Sequence, residues 1–309
     1  MTSTKTNLPL PSSQNIKRDD LPLWRQVVSL FGWTRDSSIL LSVFFLTIGL
    51  ILYVWWPLAE EVLSYIDWTG PWWLYMDWLL IGIFLFMSVA IVSRANLAWD
   101  SLTIMVATFG GLVIESWGTQ TNLWHYYTAE RPPLWIIPAW PIATLTINRM
   151  VLVLKSLTTK IQSSQRFSFF TSKKLHTFRA FVVNSKTVYW LLFTSFFALM
   201  LYFVAPTFDK SYTLLSLLLV ALLIITPTDY RTTILTFIAG AGLGYYLELW
   251  GTTRECWTYY TYQKPPLFAV LAHGMAAVAF WRTELLIKSI WAQFGNSRFR
   301  KKESNISRR

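Results

Sequence analysis

Glu115 opens the stretch "ESWGTQTNLWHYYTAERPPLW" and Glu248 opens "ELWGTTRECWTYYTYQKPPLF". With Glu115 aligned on Glu248 and no gap, eleven of the 21 positions are identical. Each carboxylate closes an apolar run and is expected near the outer boundary of a membrane. A carboxyl group there can act as a general acid or base, or carry a proton with a ligand. It can equally hold its own loop in shape by accepting hydrogen bonds from nearby indole, hydroxyl and backbone donors.

The aromatic residues of the two stretches suit the same place. Trp117, Trp124, Tyr126 and Tyr127, with Trp250, Trp257, Tyr259 and Tyr260, have apolar rings and polar tips that favour a membrane interface. They could also wall a site for a flat, unsaturated or isoprenoid chain, or face a developing carbocation. With His125, which aligns with Thr258, they form the candidate substrate-binding set. His273 aligns with Trp140. Beside Glu248 it would make an acid–base pair that the first copy lacks, although a single histidine in a helix more often packs or hydrogen-bonds. The candidate catalytic residues are therefore Glu248, His273 and Glu115.

These residues need helices to position them. The chain is 54% hydrophobic, 14% charged and holds 18 Trp, which is the composition of an all-α integral membrane protein. Apolar runs recur at 39–56, 74–93, 98–116, 134–154, 188–205, 212–226, 232–250 and 267–288. Most are long enough for a helix to cross a ~30 Å hydrocarbon core, and their continuity argues against a barrel. Eight transmembrane helices are expected, as two parallel four-helix repeats with both motif loops facing outward. The divisions are a cytoplasmic segment over 1–37, repeats over 38–154 and 188–288, a basic linker over 155–187 and a basic tail over 289–309.

Charge sets the orientation. With both termini cytoplasmic in a multi-pass protein of the cell membrane, the inner segments carry 23 of the 27 Lys and Arg, leaving Arg131, Lys210, Arg254 and Lys264 outside. The net charge of +11 thus follows the positive-inside rule and implies contact with membrane lipid, with no nucleic-acid partner. No cleavable signal peptide is expected, and Leu21–Trp33 reads as either an interfacial or a disordered lead-in. The sequon Asn305-Ile306-Ser307 lies on the cytoplasmic side and is discounted.

Helical spacing also assigns partners. Arg149 and Arg282 each lie about 22 Å down a helix from the Pro-Pro-Leu turn, too far to meet the glutamates. Asp100–Arg149 and Asp229–Arg282 are the expected structural pairs at the inner edge; a polar gate or substrate path is the alternative for them. The glycines before each Glu suggest close helix packing, and Pro138 and Pro141 should distort the start of the fourth span. Three histidines at wide spacing and a single cysteine, Cys256, make no metal cluster, and no phosphate-binding loop appears. No cofactor is expected.

The pattern Glu-x-Trp-Gly-Thr…Trp-x-Tyr-Tyr-Thr…Pro-Pro-Leu resembles the polytopic carotenoid-biosynthesis membrane proteins that include the bisanhydrobacterioruberin hydratases. The overlap is Glu115, Gly118, Tyr126 and Pro133, and equally Glu248, Gly251, Tyr259 and Pro266, within about 20 residues of each half. The family's Phe-Gly step is missing, and the doubled motif is a departure. The resemblance implies hydration or a related acid-catalysed change at an isoprenoid double bond. The leading expectation is a cofactor-independent enzyme acting on a lipid or isoprenoid, with Glu248 as acid/base and His273 as its proton partner. A proton- or ion-coupled transporter with its site between the repeats, and a membrane scaffold or assembly factor, are the alternatives.

Overall fold

The computed structural model describes residues 32–164 and 185–306, with side chains over 32–159 and 185–294. It is built almost wholly of helices: α1 (Arg35–Val54), α2 (Trp56–Ser64), α3 (Trp78–Val92), α4 (Leu97–Gln120), α5 (Ala139–Ser164), α6 (Ser185–Val204), α7 (Ser211–Ile225), α8 (Tyr230–Thr253) and α9 (Leu267–Ile306). Two three-residue strands, β1 (Trp124–Tyr126) and β2 (Trp257–Tyr259), form the one sheet among the described residues. Most of Leu21–Trp33 and of the basic linker lies outside those residues.

Polar residues fix where the helices begin. Thr34 and Ser37 make a reciprocal capping box at α1, and Asp77, Asn96 and Asp229 accept the first free amides of α3, α4 and α8. Each cap satisfies a donor that the helix itself leaves unpaired. A short α2 and a 3₁₀ turn over Trp72–Tyr75 fill the link between α1 and α3, whereas α6 reaches α7 through one 3₁₀ turn, Ala205–Thr207.

Five segments are long and apolar enough to cross a membrane: Arg35–Val54, Leu97–Gln120, Leu134–Thr159, Ser185–Thr207 and Leu267–Phe294. Helices α3 and α7 are apolar but have 15 residues each, about 22 Å at the helical rise. Helix α8 has the length, with 24 residues, but threonines and glycines dilute its apolar character. Helices α5 and α9 run on past the expected boundaries at 154 and 288, so both the linker and the tail begin as continuations of helices.

Helices α4, α5, α8 and α9 make the centre: α8 packs along α9, α4 along α5, and the two pairs meet through α5 with α8 and α4 with α9. Helix α3 leans on α5 and α8, and α6 leans on α8 and α9. The elements α3, α4 and β1 return as α7, α8 and β2 with the same lengths, and their ends coincide when Glu115 is aligned on Glu248. The buried core runs through both sets and includes Phe44, Ile91, Phe193, Val204, Phe237 and Val278.

Candidate functional site

Past Gln120 and Thr253 the chain reverses through residues with positive φ, Asn122 and Glu255, and enters the strands. The strands pair antiparallel, Trp124 with Tyr259, His125 with Thr258 and Tyr126 with Trp257. His125 and Thr258 are also equivalent in the aligned stretches, so an approximate twofold axis passes through their pair. Two further bonds, Tyr127 N–H to the Cys256 carbonyl at 3.2 Å and Tyr260 N–H to the Leu123 carbonyl at 3.1 Å, repeat the relation.

Alternation along a strand sends neighbouring side chains to opposite faces. Trp124, Tyr126, Trp257 and Tyr259 therefore share the inward face, where they meet the glutamates. Glu115 is buried and accepts from Trp124 Nε1 at 3.1 Å, Tyr126 OH at 3.0 Å and Trp140 Nε1 at 3.2 Å. Glu248 is equally buried and accepts from Trp257 Nε1 and Tyr259 OH, both at 2.9 Å. His273 Nε2 lies 2.9 Å from Glu248 Oε1 and donates when the carboxylate is ionised. Burial, and after it the neighbouring carboxylates, holds the Tyr126 and Tyr259 phenols well above the usual tyrosine range. Both phenols stay protonated and donate.

Glycines make these approaches possible. A Cβ on Gly118 would stand 1.9 Å from the Trp124 ring, and one on Gly251 2.0 Å from Trp257. Earlier on the same helices, Gly111 makes room for Trp140 and Gly244 for His273, at 2.3 and 2.4 Å. Of the glycines before each Glu expected to let helices approach, Gly111 and Gly244 cradle rings that bond the carboxylates, and Gly240 does lie against the α9 backbone, where a Cβ would come within 2.8 Å of the His273 carbonyl. Thr119 and Thr252 donate to the carbonyls of Glu115 and Glu248, each at 2.6 Å.

The doubled motif suggests two separate outer sites, and the fold brings the two stretches into one. Trp140 and His273 stack with centroids 5.7 Å apart and planes 19° apart. Trp124 touches Tyr259 and Tyr126 touches Trp257, each at 5.9 Å. A central cavity of ≈ 760 Å³ opens beside this cluster, lined mostly by apolar side chains and reached by Glu115, Trp140, Glu248 and His273. His273 is the more accessible member of its pair, with 20% of its side chain exposed against 5% for Glu248. No hydrogen bond reaches its Nδ1 among the described residues, and that atom is not sealed away.

The remaining expected residues divide by position. Trp117 and Trp250 line the cavity, and their indoles bond Thr213 Oγ1 at 3.2 Å and Asp77 Oδ2 at 2.7 Å, Asp77 also pairing with Arg254. Tyr127 and Tyr260 do not face the cavity; they donate to the carbonyls of Val54 and Phe203 and tie the strands to the ends of α1 and α6. His125 is exposed on the outer face of β1 and does not line the cavity. Arg149 Nη2 meets Asp100 Oδ2 at 2.6 Å.

The expected Asp229–Arg282 pair does not form. Asp229 caps α8 through Thr232, and Arg282 donates to Thr226 Oγ1 at 3.2 Å. The physical reason is register: in the aligned halves Asp229 corresponds to the cap Asn96, and the position corresponding to Asp100 is Thr233.

Sequence reasoning missed Trp140 as a ligand of Glu115, although the alignment that sets it on His273 pointed there. The strands, Asp77 and Thr213 were also missed. Among the described residues no group of three or more His, Cys, Asp or Glu is arranged to hold a metal ion. Comparison with protein-family models, curated proteins and solved structures returns no match for this chain.

Proposed function

We propose that this protein binds an elongated apolar molecule, a lipid or isoprenoid, in its central membrane cavity and moves a proton on it through His273. The observation that carries this reading is the His273–Glu248 pair set into the apolar wall of that cavity. With Nε2–H committed to Glu248, the lone pair on Nδ1 faces the ligand. It can take a proton as a base, and Glu248 then steadies the imidazolium until the proton is returned. Glu248 acts here as the orienting carboxylate, and the group touching substrate is the imidazole. The Trp140 face stacked on the imidazole helps hold the ring in that orientation.

The reading includes the membrane arrangement: eight spans in two parallel four-helix halves, both termini cytoplasmic, with the motif strands at the outer side. The matching lengths of α3 and α7, of α4 and α8, and of β1 and β2 support it, as does the basic character of the inner segments. The motif resemblance adds acid-catalysed change at an isoprenoid double bond, hydration included; there the imidazolium would give its proton to the alkene first and recover one from the water that adds to the resulting cation.

The test is to purify the protein in mild detergent, identify retained molecules by mass spectrometry, and assay their conversion by wild type, His273→Asn and Glu248→Gln. Conversion should fall by at least about 10²-fold in His273→Asn, the usual scale for a general acid–base group, and less in Glu248→Gln. Full activity of folded His273→Asn removes the assignment.

A second reading is a transporter, favoured by the twofold relation that places one carboxylate from each stretch beside the same cavity. Gradient-dependent flux in proteoliposomes without chemical conversion would select it.

A further inference from the structure

The cavity has two wings, one walled by α1 and α3 and the other by α4 and α7. Corresponding residues behave differently in them. On α3, Ile83 and Met87 are 6% and 5% exposed. Their counterparts on α7 in the aligned halves are Ser216 and Val220, both smaller and both half-exposed. On α4, Phe109 and Val113 line the cavity yet are 64% and 63% exposed, so the cavity reaches the outer surface of the bundle there. Leu219 and Leu222 of α7 have the same double character.

The floor of this wing is α9. Phe280 lies over Gly110, where a Cβ would come within 2.1 Å of its ring. The residue corresponding to Gly110 in α8 is Leu243, which is buried. Where α8 carries the Leu243 side chain, α4 leaves the space to the Phe280 ring. At the strand end the wing is shut: Trp117 Nε1 donates to Thr213 Oγ1 at 3.2 Å, and Thr213 is bonded to Thr207 at 2.9 Å.

We infer that the slot between α4 and α7 is a lateral portal, through which a bilayer-resident chain slides from the hydrocarbon phase to His273. This inference rests on the lipid reading proposed above and specifies the source of the ligand. Mostly apolar side chains border the slot on both helices; the polar ones are Ser216 within α7, Thr226 at its end and Glu115 toward the strand end of α4. A chain entering there exchanges contact with lipid tails for contact with protein and needs no passage through water. The Trp117–Thr213 contact closes the aqueous end. The α3 wing is lined by the buried Ile83 and Met87, so it is closed to the surface there and receives only the far end of the chain.

The test uses palmitic acid carrying a mid-chain diazirine in phosphatidylcholine vesicles holding the full-length protein. After irradiation, adducts are mapped by peptide mass spectrometry at the mouth (Phe109, Leu222) and in the interior (Ala276, Phe280). Two independent plugs are compared, Leu219→Trp and the pair Ser216→Ile/Val220→Met, which installs the residue types of the closed wing. Leu218→Trp, on an exposed α7 position outside the cavity lining, is the control. Interior labelling should drop at least fivefold in both plugs, with mouth labelling kept, and stay at the wild-type level in the control. Unchanged interior labelling in either folded plug overturns the portal while leaving the lipid cavity standing. Absence of interior labelling in the wild type overturns the portal and the lipid reading together.

Discussion

Trp140 and His273 lie stacked, ring planes 19° apart, and each is held by a different glutamate: Trp140 Nε1 by Glu115 at 3.2 Å and His273 Nε2 by Glu248 at 2.9 Å. The two residues occupy the same position in the two aligned halves of the sequence. Glu115 therefore touches the candidate proton-transfer group only through an indole. Replacing Trp140 by Leu should free the His273 ring, and ¹⁵N-histidine spectra should show its single tautomer give way to exchange. Trp140→Phe keeps the ring face and should restore a fixed ring, while loss of the N–H bond leaves Glu115 one donor short. An unchanged His273 signal in Trp140→Leu would show that the stack does not position the imidazole.

The buried carboxylates are held by three donors each. Glu115→Leu orphans Trp124, Tyr126 and Trp140 together, and each buried, unpaired donor costs about 1–3 kcal/mol. Glu115→Gln keeps one acceptor oxygen and should lose less. Thermal unfolding in detergent should rank wild type above Glu115→Gln and Glu115→Gln above Glu115→Leu. Equal melting of the two variants would mean that the bonds to Glu115 carry little stability.

Glycines with and without a ring above them give a matched comparison. Gly118→Ala and Gly251→Ala drive a methyl into Trp124 and Trp257 and should destabilise by about 1–3 kcal/mol or more, the range for overpacking. Gly49, Gly82 and Gly242 have nothing within 4 Å of a Cβ, so alanine there should be neutral or stabilising by up to about 1 kcal/mol through helix propensity. The same melting assay separates the two groups.

At the start of α4, Asp100 forms a mostly buried pair with Arg149. Arg149→Met leaves Asp100 without its charge partner and should cost about 3–5 kcal/mol, much of it recovered in Asp100→Leu/Arg149→Met. Arg282→Met loses a bond to Thr226 and should cost about 1 kcal/mol. Similar losses in Arg149→Met and Arg282→Met would contradict the distinction drawn from their partners.

Burial pushes the Cys256 thiol up to about 12. A thiol with a raised value forms thiolate only as pH climbs toward that value, so reactivity should rise about tenfold per unit from pH 8. At pH 8 alkylation by N-ethylmaleimide should be about 10³-fold slower than for a free cysteine near 8.5, and fast once the chain is unfolded in detergent. Since Cys256 is the one cysteine in the chain, intact mass reports it directly. Stoichiometric labelling of folded protein within minutes at pH 8 would place the thiol outside the buried loop.

Helices and membrane character were legible because both follow from local composition: a continuous apolar run closes its own backbone hydrogen bonds wherever the rest of the chain goes. The importance of Glu115 and Glu248 was legible in the doubled stretch, and Arg149 could be set beside Asp100 because helical rise fixes depth along an axis. Arg282 shows where that reasoning fails. Depth alone put Asp229 within its reach, but Asp229 was already engaged in capping α8. The meeting of the two stretches was not legible, because pairing β1 with β2 depends on how distant helices pack and on a register that neither strand encodes alone. Only that packing turned His125 outward, brought Trp140 onto Glu115 and left one wing of the cavity open. Sequence by itself determined the apolar helices and the two polar motifs that end them. Tertiary structure decided that both motifs serve one cavity, since contacts across a twofold axis join residues that are remote along the chain.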